Sequence, residues 1–143
     1  DGDRETNFQD LEPDIQQLIQ KAVEARKRSY SPYSKFAVGA AIRSVTGEIF
    51  YGCNIENSAF GPTICAERTA IFKGISEGHL EYDACAVVAF QENDYTAPCG
   101  SCRQVLNEFA SKDFPIYITK PSHEKVLCSS VYNLLPYRFR LKD

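Results

Sequence analysis

Two stretches constrain the fold more than any other feature of the chain: "TICAERTAIF" at residues 63–72 and "PCGSCRQ" at residues 98–104. Each sets cysteine where a loop gives way to a helical pattern, so a fold that uses these thiols together must bring two helix starts to one point. Cys99 and Cys102 form a C-x-x-C, which alone is either a redox dithiol or half of a zinc site. Cys65 breaks the tie, because it too stands at the first turn of a helix. Three sulfurs make an open zinc site, with one position left for water, and such sites are catalytic rather than structural.

Glu67 lies within one helical turn of Cys65, near enough to exchange a proton with that water without ligating the metal. Three thiolates leave Zn²⁺ with net negative charge, which two helix N-termini, each worth roughly half a positive charge, help to offset. Arg68 is the preferred candidate for a hydrogen bond to the sulfurs. Arg103, beside Cys102, reads more simply as an exposed helical residue. The competing explanation is a structural zinc or a redox pair with an unrelated Glu67. A structural site wants a fourth ligand, and His79 and His123 have no partner at zinc-motif spacing and read as surface residues. The other three cysteines, Cys53, Cys85 and Cys128, sit near or inside strand-like runs and read as small buried hydrophobes.

Pro13 opens an amphipathic helix in which Ile15, Leu18, Ile19, Ala22 and Val23 recur at helical spacing. "FAVGAAIRS" and "EIFYGCN" around "VTG" predict a β-hairpin. The helix carrying Cys65 and Glu67 follows the loop "IENSAFGPT". Then come a buried strand, "ACAVVAF", the helix "CGSCRQVLNEFA", short strands "PIYIT" and "KVLC", a helical turn at "SVYNLLP" and a tail, "YRFRLKD". This order predicts an α/β protein with helices covering a sheet of about five strands. Residues 1–12 read as a polar N-terminal tail and residues 13–143 as one catalytic domain. The 143 residues, 43% hydrophobic, suit one core.

A net charge of −3 and no extended basic cluster argue against nucleic acid as a partner. No apolar run approaches the roughly 20 residues of a membrane span, and the polar opening is no secretory leader, which predicts a soluble, cytoplasmic protein.

"CAE" followed by "PCGSC", together with "SPYSKFAVGAAI", "GEIFYGCNIENSAFG" and "PCGSCRQVLNEF", resembles the small, homotetrameric, zinc-dependent cytidine deaminases, in the all-cysteine version of the deaminase signature. The likeness runs from about Ser29 to Pro136. It implies a three-layer α/β/α sandwich with a mixed five-stranded sheet. It also implies one Zn²⁺ per subunit on Cys65, Cys99 and Cys102, and Glu67 as proton shuttle. Carried over position by position, Phe36 lies beside the base, Asn54 and Glu56 bind the ribose hydroxyls, and the Ala66 amide contacts the pyrimidine. Phe60 departs from the tyrosine the family often has after "NIEN" and so lacks a hydroxyl that could serve at a subunit contact. Phe139 matches an aromatic that a neighbouring subunit lends to the active site, with Tyr137 close enough to compete for that role. The implied reaction is hydrolysis of cytidine and deoxycytidine to uridine and deoxyuridine in pyrimidine salvage, water held on zinc adding at carbon 4. Two other substrates keep the chemistry, a nucleoside antibiotic or cytosine in a polynucleotide. A non-catalytic zinc or redox module would use the same cysteines.

Overall fold

Small residues in "VGAAIRS" let helices approach the sheet from both sides. In a computed structural model, which describes residues 2–141, strand β2 (Val38–Ser44) pairs antiparallel with β3 (Ile49–Cys53). The turn between them needs Gly47, at φ +95°. Helix α1 (Pro13–Arg26) lies on one face of β2 and α2 (Ala66–Ser76) on the face of Gly52. A Cβ added at Gly39 would stand 2.1 Å from the Ala22 carbonyl oxygen and 2.5 Å from the Arg26 nitrogen. Both contacts are backbone, so the helix itself would have to move. Gly39→Ala is therefore expected to cost about 1–3 kcal/mol or more and to lower the thermal midpoint by at least about 3 °C. An unchanged midpoint in a thermal melt would refute this close packing.

Strand β4 (Tyr82–Ala89) pairs antiparallel with β2 and parallel with β5 (Pro115–Thr119), and β5 pairs antiparallel with β6 (Lys125–Ser130). Alternation along β4 sends Ala84, Ala86 and Val88 to a cluster with Ile15, Leu18, Ile19 and Ala22 of α1. Cys85 and Val87 face the opposite cluster, with Ala70 and Ile71 of α2. Leu106 of α3 (Gly100–Glu108) and Val131 of α4 (Val131–Leu134) complete that side. The result is the expected three-layer α/β/α sandwich. Arg43 ties the layers together, its guanidinium donating to Asp83 at 2.8 Å and to Asp14 of α1 at 2.9 Å.

The sheet has six strands rather than five, in the order β1-β6-β5-β4-β2-β3. The sixth is β1 (Arg4–Asn7), drawn from the stretch expected to be a polar tail, with Arg4 opposite Cys128 on β6. A 3₁₀ turn at Phe8–Asp10 follows, and Phe8 is buried in the α1-side cluster. An edge strand with nearly every side chain in water has no apolar alternation to announce it, which is why "RETN" reads as tail. Asp1, Lys142 and Asp143, the last two ending the "YRFRLKD" tail, lie outside the described residues. Among the described residues no helix is long and apolar enough to cross a membrane.

Candidate active site

Cys65 and Cys99 occupy equivalent positions, the residue just before the first turn of α2 and of α3, each in extended conformation. Neither thiol is spent on capping its own helix. Cys102 follows one turn into α3 and is fully buried. The Cys65 and Cys99 sulfurs stand 3.7 Å apart and those of Cys99 and Cys102 3.6 Å apart. All three ligand atoms lie within 4.8 Å of one another. Disulfides need about 2.05 Å. A tetrahedral zinc with bonds of about 2.3 Å would place its sulfurs roughly 3.8 Å apart. The trio therefore fits zinc.

Arg68 reaches back along the first turn of α2, and its Nη2–H donates to Cys65 Sγ at 3.3 Å. That bond, first of several, raises the guanidinium pKa above its ordinary value. Arg68 Nε is buried with no hydrogen-bond partner. The Cys65 thiol is pulled down to about 5, first by its bond with Cys102 and then by Arg68 and Cys99, against the opposing effect of its own burial. The same bond with Cys65, and burial, push Cys102 up. Cys65 and Cys102 are thus driven in opposite directions, with the thiolate at Cys65 and the guanidinium beside it.

Glu67 is 5% exposed. Burial, and secondarily the Cys65 thiolate, push its carboxyl up to about 7. Burial and the Glu67 carboxylate in turn push up the Cys85 thiol of β4, so this acid faces the sheet and the sulfurs together. Cys85 and Cys128 are buried as expected, whereas Cys53 is half-buried and donates to the Arg28 carbonyl.

The second group of candidates gathers on the loop between α1 and β2. Asn54, buried at the end of β3, donates from Nδ2 to the Phe36 carbonyl at 2.8 Å. Its Oδ1 accepts from the Val38 amide at 2.9 Å and from the Ser29 hydroxyl. Glu56 accepts from the amides of Tyr33 at 3.0 Å and Ser34 at 3.1 Å, and from the Ser34 hydroxyl. The Ser34 hydroxyl, ahead of the two amides, keeps the carboxylate pKa below its usual range. Tyr33, Ser34, Glu56, Phe60 and Thr63 line a cleft of about 360 Å³, which the thiols do not line. The two groups are joined by backbone, because Ile55 and Ile64 exchange both hydrogen bonds at 3.0 Å. The segment carrying Asn54 and Glu56 therefore runs beside the residue that precedes Cys65. Ala66, the first residue of α2, is fully buried and presents one of the amides that a helix cannot satisfy within itself.

Phe60 stands at the mouth of the cleft, 70% exposed, at φ +55° and edge-on to Tyr33. Phe139 is 64% exposed, its carbonyl accepting from Gln104 at 3.0 Å and Asn107 at 3.2 Å on α3. Tyr137, at φ +54°, is exposed beside it. Arg103 departs from expectation. It is half-buried rather than a solvated helical residue, and it bonds two backbone carbonyls. Ser29 and Ser34 join the site without standing out in the sequence. Their signal was the hydroxyl-rich loop "SYSPYS", of a kind that serves nearby polar groups.

Three thiols at two helix starts, with a buried carboxylate beside them on one face of the sheet, could hold a metal ion next to an acid–base group. Residues 12–118 match the model of the cytidine and deoxycytidylate deaminase zinc-binding region. The chain is 46% identical over 130 residues to a cytidine deaminase of Sporosarcina psychrophila, covering 91% of this chain and 94% of that one. It is 30% identical over 138 residues to a blasticidin-S deaminase of Bacillus cereus, covering 92% of each. The crystal structure of a cytidine deaminase from Burkholderia pseudomallei superposes with a TM-score of 0.81 at 40% identity, over 87% of this chain and 98% of that one. The chain belongs to the cytidine and deoxycytidylate deaminase family, and it is an enzyme of that family.

Proposed function

We propose that the protein hydrolyses cytidine and deoxycytidine to uridine and deoxyuridine, releasing ammonia, as a step of pyrimidine salvage in the cytoplasm. The observation that carries this reading is the pairing of a three-sulfur cluster with a fully enclosed carboxylate next to it in the chain. Cys65, Cys99 and Cys102 would hold one zinc per subunit. Bound there, zinc supplies Lewis acidity and makes water a nucleophile near neutral pH.

The chain's own residues do the rest. Glu67, with a proton affinity near 7, takes a proton from water as its oxygen bonds to carbon 4 of the pyrimidine. It returns that proton to ring nitrogen 3 and carries the next to the departing amine, so water is consumed and ammonia leaves. The Ala66 amide contacts the pyrimidine while Phe36 lies against the base. Asn54 spends one Nδ2 hydrogen on Phe36 and has a second for a sugar hydroxyl. Glu56, held ionised, offers a free lone pair to a donor and so favours a hydroxyl-bearing sugar. Arg68 holds Cys65 in place. Phe60 and Phe139, both exposed, are proposed to meet neighbouring copies in a homotetramer.

The relatives include a blasticidin-S deaminase at 30% identity, and the 46% identity to a cytidine deaminase favours the plain nucleoside. The test is loss of the aminopyrimidine ultraviolet band with cytidine, deoxycytidine and free cytosine in parallel, alongside zinc content and light scattering. Turnover of both nucleosides but not cytosine, at about one zinc per chain, is expected. Full zinc with no turnover of either nucleoside would overturn the substrate assignment.

A further inference from the structure

Arg103 brackets a single residue, Cys99. Its backbone N–H donates to the Cys99 carbonyl at 2.9 Å, and its side-chain Nε–H donates to the Pro98 carbonyl at 2.7 Å. The peptide unit on either side of Cys99 is therefore fixed by one residue. The same guanidinium continues outward, Nη1–H donating to the Leu134 carbonyl at 2.9 Å, where α4 ends. A fork with donors at fixed angles meets two carbonyls at once, which a lysine ammonium on a flexible stem does not do in one geometry.

We infer that Arg103 is the positioning residue for Cys99: by locking the Pro98–Cys99 peptide it holds an otherwise exposed sulfur in register with Cys65 and Cys102, and it fastens that register to the C-terminal segment. This rests on the reading that the three thiols hold a metal. Cys99 needs such a brace more than its partners. Cys102 is enclosed by the core and Cys65 carries the Arg68 bond, whereas the Cys99 side chain is exposed. Turning the Pro98–Cys99 peptide would carry the sulfur away from positions 3.7 and 3.6 Å from its neighbours. Gln104 and Asn107 hold the same C-terminal segment through the Phe139 carbonyl without touching Pro98, and so supply the control.

The experiment loads the full chain with cobalt(II). It records the sulfur-to-cobalt charge-transfer and visible ligand-field bands, the rate of metal release to a colorimetric chelator, and the unfolding midpoint of the metal-free protein. Arg103→Ala is expected to shift the ligand-field bands and speed release about 10- to 100-fold, the usual effect of losing a partner that orients a ligand. Arg103→Lys, able to meet one carbonyl, should release metal several-fold faster than the parent, and Gln104→Ala at the parental rate. If the alanine protein does not fold, the lysine variant decides. Parental spectra and release in the Arg103 variants would overturn the proposal, including the case where only the unfolding midpoint falls, because Arg103 would then brace the C-terminal segment alone. Failure of the unaltered chain to give a charge-transfer band would instead remove the metal reading, and the proposal with it.

Discussion

Glu67→Gln is expected to retain its metal and lose about 10²- to 10⁴-fold in kcat, the range a positioned acid–base group supplies. The amide occupies the same enclosed space but neither accepts nor returns a proton. The same substitution should make the metal-free protein more stable, with a definite dependence on pH. The folded-state pKa of about 7 stands above the ordinary 4.5. Unfolded chains ionise this carboxyl from about pH 4.5 upward, while the folded chain resists until about 7. Stability contributed by the neutral, buried acid is thus complete below pH 4.5, is lost as pH rises to 7, and stays lost above it. Glutamine carries no such penalty. Chelated, reduced Glu67→Gln should match the parent at pH 4 and exceed it by about 3 kcal/mol at pH 8. Chemical unfolding at the two pH values measures this. Turnover within tenfold of the parent would refute the proton-transfer role, and equal stability at pH 8 would refute the burial argument.

Cys99→Ala should cost more in metal affinity than any outer change and little in packing. Its side chain is exposed, so no core contact is lost, yet one of three sulfurs disappears. The two left make half of a tetrahedral set. Affinity is expected to fall by well over the roughly 100-fold that bounds the loss of an outer partner. Deaminase activity should fall to background, and the variant should show no difference in unfolding midpoint with and without chelator. The parent chain should show such a gap, because a metal that binds only the folded state stabilises it. Cys53→Ala, at a half-buried thiol bonded to the Arg28 carbonyl, should keep full zinc. Zinc content after dialysis decides, and a Cys99→Ala protein at parental zinc would exclude Cys99 as a ligand.

Residues whose roles are local were legible in the sequence. The starts of α1, α2 and α3 follow from Pro13 and from cysteines placed at loop-to-helix junctions, and the hairpin from "VTG" between apolar runs. Three thiols and Glu67 could be gathered because helical spacing fixes each set internally, leaving only the meeting of two helix starts to be supposed. What was not legible depends on partners far along the chain. Arg103 looks like any charged helical residue until the Leu134 carbonyl, 31 positions away, arrives beside it. Asn54 was placed for substrate, yet its side chain also holds the loop at Ser29, Phe36 and Val38, bonds that only the folded chain brings into range. "RETN" carries no periodicity because its strand buries almost nothing.

That edge strand bears on how the chain reaches its fold. Arg4 pairs with Cys128, and Asp3 accepts from the Ser129 hydroxyl and from the Asn133 side chain, contacts that span nearly the whole sequence. During synthesis β1 emerges before the other five strands of its sheet and yet has no partner until β6 leaves the ribosome. Its pairing closes the longest loop in the molecule for the least buried surface, so it belongs to the last and most readily reversed step of folding. Phe8 shares its cluster with Val126 and Cys128 of β6, so its burial is completed only then. A nascent chain interrupted before residue 125 would lack Val126 and Cys128 of the cluster that buries Phe8, leaving this aromatic for a chaperone to cover.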